Sequence, residues 1–344
     1  MSREAAEAKG PGRVYVVLVN WNGARDTVEC LESLFRSEYP DFRVVVCDND
    51  SSDGSVGHLL DWASGRTPYC APGAVLGGLT AVPVPKPVEH SLLDGPAAED
   101  APCSAPLTII RTGKNLGFAG GNNVGIRFSL RQGDCGFVWL LNNDTVVLPD
   151  TLKKLVARAR SDRTIGIVGA TLCFYDRPGT VQALGGASFN KYRSLSRLLG
   201  NERELARIGA AELGGVEGRL DWVSGASMLV TRRFLAEVGL MEESYFLYFE
   251  ELDWALRAGE RFRMGYAPGA RVFHKHGAAT NERKGADTSI YFRFRACIRL
   301  YRKLLPYHMP FCLYGIGRYL AVNLIKGRGS VFFPVSRALR EEFF

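Results

Sequence analysis

Four short aliphatic runs, VYVVLVN (14–20), RVVVCD (43–48), LTIIR (107–111) and FVWLLN (137–142), leave almost no polar face. A half-exposed strand alternates apolar and polar residues, so these read as central strands of a sheet covered on both sides. TVECLESLF, between the first two, sets Val28, Leu31, Leu34 and Phe35 at helical spacing. Pro149 stands at the expected first helical position ahead of DTLKKLVARA. Strand, helix, strand is the repeating unit, and it predicts an α/β fold with a mostly parallel sheet flanked by helices. IGIVGA (165–170), DWVSGASMLV (221–230) and ARVFHKH (270–276) read as further strands, and EELDWALRAGE as a helix.

A chain of 344 residues, 46% hydrophobic and 23% charged, can bury a sizeable soluble core. Residues 1–12 are charged, have no apolar secretory core and read as disordered. The eight cysteines form no C-x-x-C pair or zinc spacing and read as reduced structural thiols. From Gly65 to Pro106 the periodicity fails and half of the sixteen prolines gather, which reads as a loop-like, disordered insertion. The net charge of +7 is uneven, because no acidic residue lies between Asp287 and Glu341 while arginines and lysines accumulate there. Leu313, Ile316, Leu320 and Leu324 can share a helical face, with Arg318, Lys326 and Arg328 supplying charge. The segment 286–344 is therefore expected to be a basic amphipathic helical extension resting on an anionic membrane surface without crossing it.

The chemistry-bearing residues cluster where the buried runs end. VWLLNNDT delivers Asn142, Asn143 and Asp144 at the carboxyl end of a strand, where open α/β sheets place ligands. One carboxylate there can begin a divalent cation site that phosphate oxygens and water complete. VVVCDNDSSDGS repeats the design with Asp48, Asn49 and Asp50. RTGKNLGFAGGNNVGI offers Gly117, Gly120 and Gly121 for close backbone approach and Asn115, Asn122 and Asn123 as amides, but its glycine spacing is not that of a dinucleotide fingerprint. SYFLYFEELDWALRAGERF places Tyr245, Phe246, Tyr248 and Phe249 immediately before Glu250, Glu251 and Asp253. Acids in so apolar a setting can serve as a general base. In RVFHKH, His274 and His276 project to one side if the segment is extended, and one facing Asp144 would ligate a metal.

Taken in order, VNWNG, DNDSSDGS, NLGFAGGNN, LLNNDT, SGASMLV, YFEE and VFH resemble the family 2 glycosyltransferases of inverting GT-A type, above all the bacterial rhamnosyltransferases of cell-surface polysaccharide assembly. The resemblance covers roughly residues 13–305 apart from the proline-rich insertion. It implies a GT-A domain over 13–285, with a Rossmann-like mixed sheet and a C-terminal helical extension. It also implies a cytoplasmic enzyme, peripheral at the inner face of the cell membrane, that takes a sugar, expected to be rhamnose from dTDP-rhamnose, to a glycan or lipid-linked acceptor. No nucleic-acid partner is expected. By the same resemblance Asn20, Asn22, Asp48, Asn115, Gly117, Asn123, Asn142 and Asn143 border the nucleotide sugar, while Asp144 and His274 hold Mg or Mn. Trp222, Ser224, Gly225, Ala226 and Glu250 lie on the acceptor and donor-sugar side. Glu251 is the base and Asp253 supports it. Two departures stand out: the usual aspartate pair is Asn142-x-Asp144, and the usual Glu-Asp box is Glu250-Glu251. A nucleotidyltransferase and a noncatalytic scaffold of the same fold are the alternatives.

Overall fold

The computed structural model describes residues 12–71, 76–275 and 286–343. The expectations for the first eleven residues and for His276 lie outside them.

The main sheet is built from β1 (Arg13–Asn20), β2 (Phe42–Asp48), β3 (His90–Asp94), β4 (Leu107–Arg111), β5 (Cys135–Leu141), β6 (Thr145–Val147), β7 (Ile165–Phe174), β8 (Val181–Leu184), β12 (Ser227–Thr231) and β13 (Arg263–His274). Between β8 and β12 the chain forms a small antiparallel sheet of β9 (Gly186–Asn190), β10 (Leu195–Leu198) and β11 (Trp222–Val223). The main sheet runs β3-β4-β2-β1-β5-β12-β7-β13-β6, with β8 on β7. Its first five strands are parallel, β12 enters antiparallel between β5 and β7, and β7 and β13 are parallel again. This is the mixed, mostly parallel sheet of the GT-A fold.

Alternation along β1 divides the core. Val14, Val16 and Leu18 pack under α1 (Ala24–Leu34) and α2 (Ser55–Ala63), while Tyr15 and Val17 face the other layer. After the short α3 (Gly77–Thr80), that second layer is supplied by α4 (Gly117–Arg131), and α5 (Thr151–Ser161) returns to the first. Helix α5 begins two residues beyond Pro149, which occupies the preceding turn and not the first helical position. The short α6 (Ala210–Gly214) lies between β10 and β11. Phe234 of α7 (Arg232–Val238) and Trp254 of α8 (Glu250–Ala258) meet edge to face, with ring centroids 5.3 Å apart, in the second layer.

The insertion is ordered over the residues described, contrary to the expectation of a disordered loop. Its strand β3 pairs in parallel with β4, His90 against Leu107 through Asp94 against Arg111, and adds an edge to the sheet. Periodicity was hidden because only five residues are extended and prolines flank them. Glu32 of α1 pins the segment: fully buried, it accepts from Trp62 Nε1 at 2.8 Å, Val84 N at 2.7 Å and Lys86 Nζ at 3.3 Å.

The extension forms α9 (Ala286–Leu304), α10 (Met309–Ile325) and α11 (Phe332–Phe343), which close a third apolar cluster around Ile298, Tyr301, Val335 and Ala338. The four leucine and isoleucine positions expected on one face do not behave alike. Ile316 is buried against this cluster, whereas Leu313 and Leu324 are exposed, because α10 leans on α9. No helix among the described residues is long and apolar enough to cross a membrane.

Replacing Glu32 by Ala should strand the Val84 and Trp62 donors and cost about 3 kcal/mol of stability. Limited proteolysis should then cut first between residues 65 and 106; unchanged cleavage kinetics would contradict this anchoring role.

Candidate functional site

The carboxyl ends of β1, β2 and β5 converge. Parallel register sets Asn20 beside Asp48, and Asn20 Nδ2 donates to Asp48 Oδ2 at 2.7 Å. Ser51 donates to the same carboxylate through both its amide (3.0 Å) and its hydroxyl (2.7 Å), so Asp48 is held rigidly. Asn22, at φ 53°, accepts from Ser52 N at 2.8 Å. Asp48, Asp50, Ser51, Asp94, Arg111 and Gly113 line a cavity of about 430 Å³ beside these ends. Asp94 comes from the insertion and grips Arg111 through two hydrogen bonds.

The glycine-rich stretch joins this half to the acidic box. Asn115 Oδ1 accepts from Gly117 N at 2.9 Å, and Gly117 adopts φ +70°. A Cβ there would lie 2.3 Å from the carbonyl oxygen of Phe246, which accepts from Phe118 N at 2.9 Å. Asn123 is buried and spends its amide on Met241 and Glu243, so it braces the region before the box and does not face the cavities.

Sheet pairing explains the next group. Strand β13 runs antiparallel to β6 with His274 opposite Thr145, which brings its ring next to Asp144 in the turn between β5 and β6. His274 Nε2 lies 3.2 Å from Asp144 Oδ1 and 3.2 Å from Asn142 Nδ2, while its Nδ1 meets Gln182 Oε1 at 2.9 Å. An amide oxygen only accepts, so Nδ1 donates to Gln182 and Nε2 is the ring atom turned toward Asp144. Burial would raise the Asp144 carboxyl, but hydrogen bonding and charge from His274 outweigh it and hold the group below its usual value. Asn143 turns the other way, donating to Thr27 Oγ1 at 2.9 Å. Among the described residues no cluster of three or more His, Cys, Asp or Glu side chains could enclose a metal. Asp144 and His274 fit a cation whose remaining ligands are donor phosphates and water.

A second cavity, about 740 Å³, is lined by His274 and Asn142, by Glu250 and Glu251, and by Trp222, Ser224, Gly225 and Ala226. Phe246, Tyr248 and Phe249 have φ of 66°, 70° and 71°. Side-chain-bearing residues at such angles cost about 1–3 kcal/mol each and persist where the surroundings impose them, commonly at functional sites. Glu250 is buried with its Oε2 unpartnered among the described residues, and burial followed by the charge of Glu251 pushes it well above the usual carboxylate range. Burial also raises Glu251, opposed by hydrogen bonds from its own amide and that of Gly225. The two carboxyls titrate as a pair, both above the ordinary glutamate value. Asp253 is turned into the core, where Arg257 Nε (2.5 Å) and the Tyr245 hydroxyl (2.9 Å) occupy its oxygens.

Residues 89–296 match the family described as Glycosyltransferase like family 2, and residues 15–70 match Glycosyl transferase family 2. The chain belongs to glycosyltransferase family 2. This family 2 chain is 26% identical over 191 residues to the low-salt glycan biosynthesis hexosyltransferase Agl10 of Haloferax volcanii, covering 55% of this chain and 58% of the relative. It is 25% identical over 213 residues to the N-acetylglucosaminyl-diphospho-decaprenol L-rhamnosyltransferase of Mycobacterium tuberculosis, covering 57% of this chain and 69% of that one. Among solved structures, the mannosyltransferase PcManGT from Pyrobaculum calidifontis with GDP-Man and Mn2+ shares the fold at TM-score 0.50 and 14% identity, over 99% of this chain and 92% of that one. GalNAc-T7 with UDP, GalNAc and Mn2+ does so at 0.54 and 14%, over 85% of this chain and 48% of that one.

Sequence reasoning missed Gln182, which orients His274, and Ser51, which clamps Asp48. Gln182 lies on a strand with no motif, whereas Ser51 sat inside DNDSSDGS, where a serine three residues past a strand end is a turn signal.

A Cβ at Gly225 would lie 2.3 Å from Glu251 Oε1 and 3.1 Å from Phe118 Cζ. Gly225→Ala should therefore displace the Glu251 carboxylate and reduce turnover toward the level of Glu251→Gln, a loss of about 10²- to 10⁴-fold for removal of a general base. Nucleotide-sugar affinity should stay near wild type in both variants. Wild-type turnover should rise with pH through an apparent pKa above the usual glutamate value, and that limb should vanish in Glu251→Gln. Full activity of Gly225→Ala would contradict the placement.

Proposed function

We propose that this family 2 chain is an inverting glycosyltransferase that moves a sugar from a nucleotide diphosphate donor to a hydroxyl of a glycan or lipid-linked acceptor. The observation that carries the reading is one cavity lined by His274, whose ring touches Asp144, and by the Glu250–Glu251 pair. Asn20, Asn22, Asp48, Asn115 and Gly117 shape the nucleotide side, and Asn142 steadies the His274 ring. Asp144 and His274 would hold Mg or Mn, which when bound would supply positive charge against the departing diphosphate. Glu251 takes the proton of the attacking hydroxyl, and burial, which raises both carboxyls, disfavours a second negative charge on the neighbouring Glu250. One in-line displacement inverts the anomeric centre. Asp253 holds Tyr245 and Arg257 in place behind the base. The donor is rhamnose from dTDP-rhamnose; support comes from the motif set and the rhamnosyltransferase relative.

The protein works at the inner face of the cell membrane. Tyr307, Tyr314, Ile325 and Phe333 are exposed on and beside α10, and Lys326 and Arg328 lie next to them, a composition suited to an anionic lipid surface.

Purified protein with a panel of nucleotide sugars and Mn or Mg should release nucleoside diphosphate with dTDP-rhamnose foremost. Asp144→Asn should weaken metal-dependent donor binding. Pyrophosphate release would identify a nucleotidyltransferase, and absence of turnover across the panel a scaffold.

A further inference from the structure

The basic residues of the extension fall into two sets. Arg295, Arg299 and Arg302 gather on Glu342 of α11, which is 4% exposed, and Lys303 reaches Glu242. These cations are neutralised inside the protein. Arg293 and Arg318, together with Arg193 from the turn between β9 and β10, have no carboxylate partner among the described residues, and all three line the larger cavity.

Packing brings them together from three elements. Ser194 Oγ lies 3.2 Å from Cys297 Sγ, and Arg293 is one helical turn before Cys297 on α9. On α10, Gly315 passes so close to the turn that a Cβ would lie 3.6 Å from Ser194 and 3.8 Å from the Arg193 carbonyl, and Arg318 follows one turn later. Tyr192 fixes the turn by stacking edge-on against Phe311 at 5.2 Å. Three arginines lining one cavity with no carboxylate partner among the described residues suit a multiply charged anion, and their forked donors suit phosphate oxygens. Leu198, Phe294, Ile316, Tyr319 and Val322 line the same cavity, so its wall beside the cations is apolar.

We propose that Arg193, Arg293 and Arg318 bind the phosphate groups of an amphiphilic acceptor, a sugar joined through diphosphate to a hydrocarbon chain, whose hydroxyl then reaches Glu251 while the chain lies along α10. This rests on the acceptor side of the function proposed above and narrows it to a phosphate-linked lipid. The donor's diphosphate sits at Asp144 and His274 and needs the cation; the arginine site does not.

Farnesyl diphosphate, farnesol and inorganic pyrophosphate serve as probes, titrated in chelator so that the metal-dependent donor site stays silent. Farnesyl diphosphate should bind more tightly than either fragment. Arg193→Gln with Arg318→Gln should weaken it by about tenfold per arginine, since each loses a charge-assisted hydrogen bond. Farnesol binding should be unchanged, and the paired Arg→Lys variant should recover part of the loss. Both arginines are exposed, and a melting curve near wild type verifies the fold. Equal farnesyl diphosphate affinity in wild type and the Gln variant would overturn the proposal. So would pyrophosphate binding as tight as farnesyl diphosphate, or a Gln variant that loses only binding to phosphatidylglycerol vesicles, which would make the arginines a membrane contact. Metal-dependent nucleotide-sugar binding, measured on the same variants, should be intact. Its absence from the wild type would sink the glycosyltransferase reading separately.

Discussion

A carboxylate at the end of a covered strand must have its oxygens occupied, because leaving one buried and unpaired costs several kcal/mol. Asp48 and Asp144 meet that demand differently. Asp48 is saturated from within by Asn20 and Ser51, and so fixes the relation between β1 and β2. Asp144 has His274, set by Gln182, and keeps its charge although burial opposes it. One carboxylate is frame, and the other is the cation ligand of the function proposed above.

The central strands were legible because burial on both faces leaves unmistakable aliphatic runs, and the strand-end positions of Asp48 and Asp144 followed from them. Short elements were not. Strand β6 is three residues long and β3 five, too few for a period to emerge, and β12 was hidden within a longer apolar run that the structure divides at Ser224 to Ala226. The acidic box was found by composition, but which acid faces the cavity depends on where α8 begins. Helix geometry turns Asp253 to Tyr245 and Arg257 and leaves Glu250 and Glu251 at the wall. Backbone strain at Phe246, Tyr248 and Phe249 had no signal in residue type, since aromatics are poor candidates for positive φ.

The insertion and the extension show how added segments are tied to an architecture of sheet and layers. Glu32 accepts from Val84 and Lys86 of the insertion and from Trp62 of α2, and Glu342 receives three arginines that hold α9 against α11. A uniformly basic tail therefore becomes a braced wall with a few cations left over, and those that line the cavity differ in role from those at the outer end of α10.

In the mechanism we propose, Glu251 drives a single displacement at the anomeric carbon while the diphosphate leaves from Asp144 and His274. Nuclear magnetic resonance of the glycoside formed from a nucleotide sugar of known configuration tests this directly. An inverted anomeric centre is predicted; a retained one would contradict the single-step geometry and the role of Glu251.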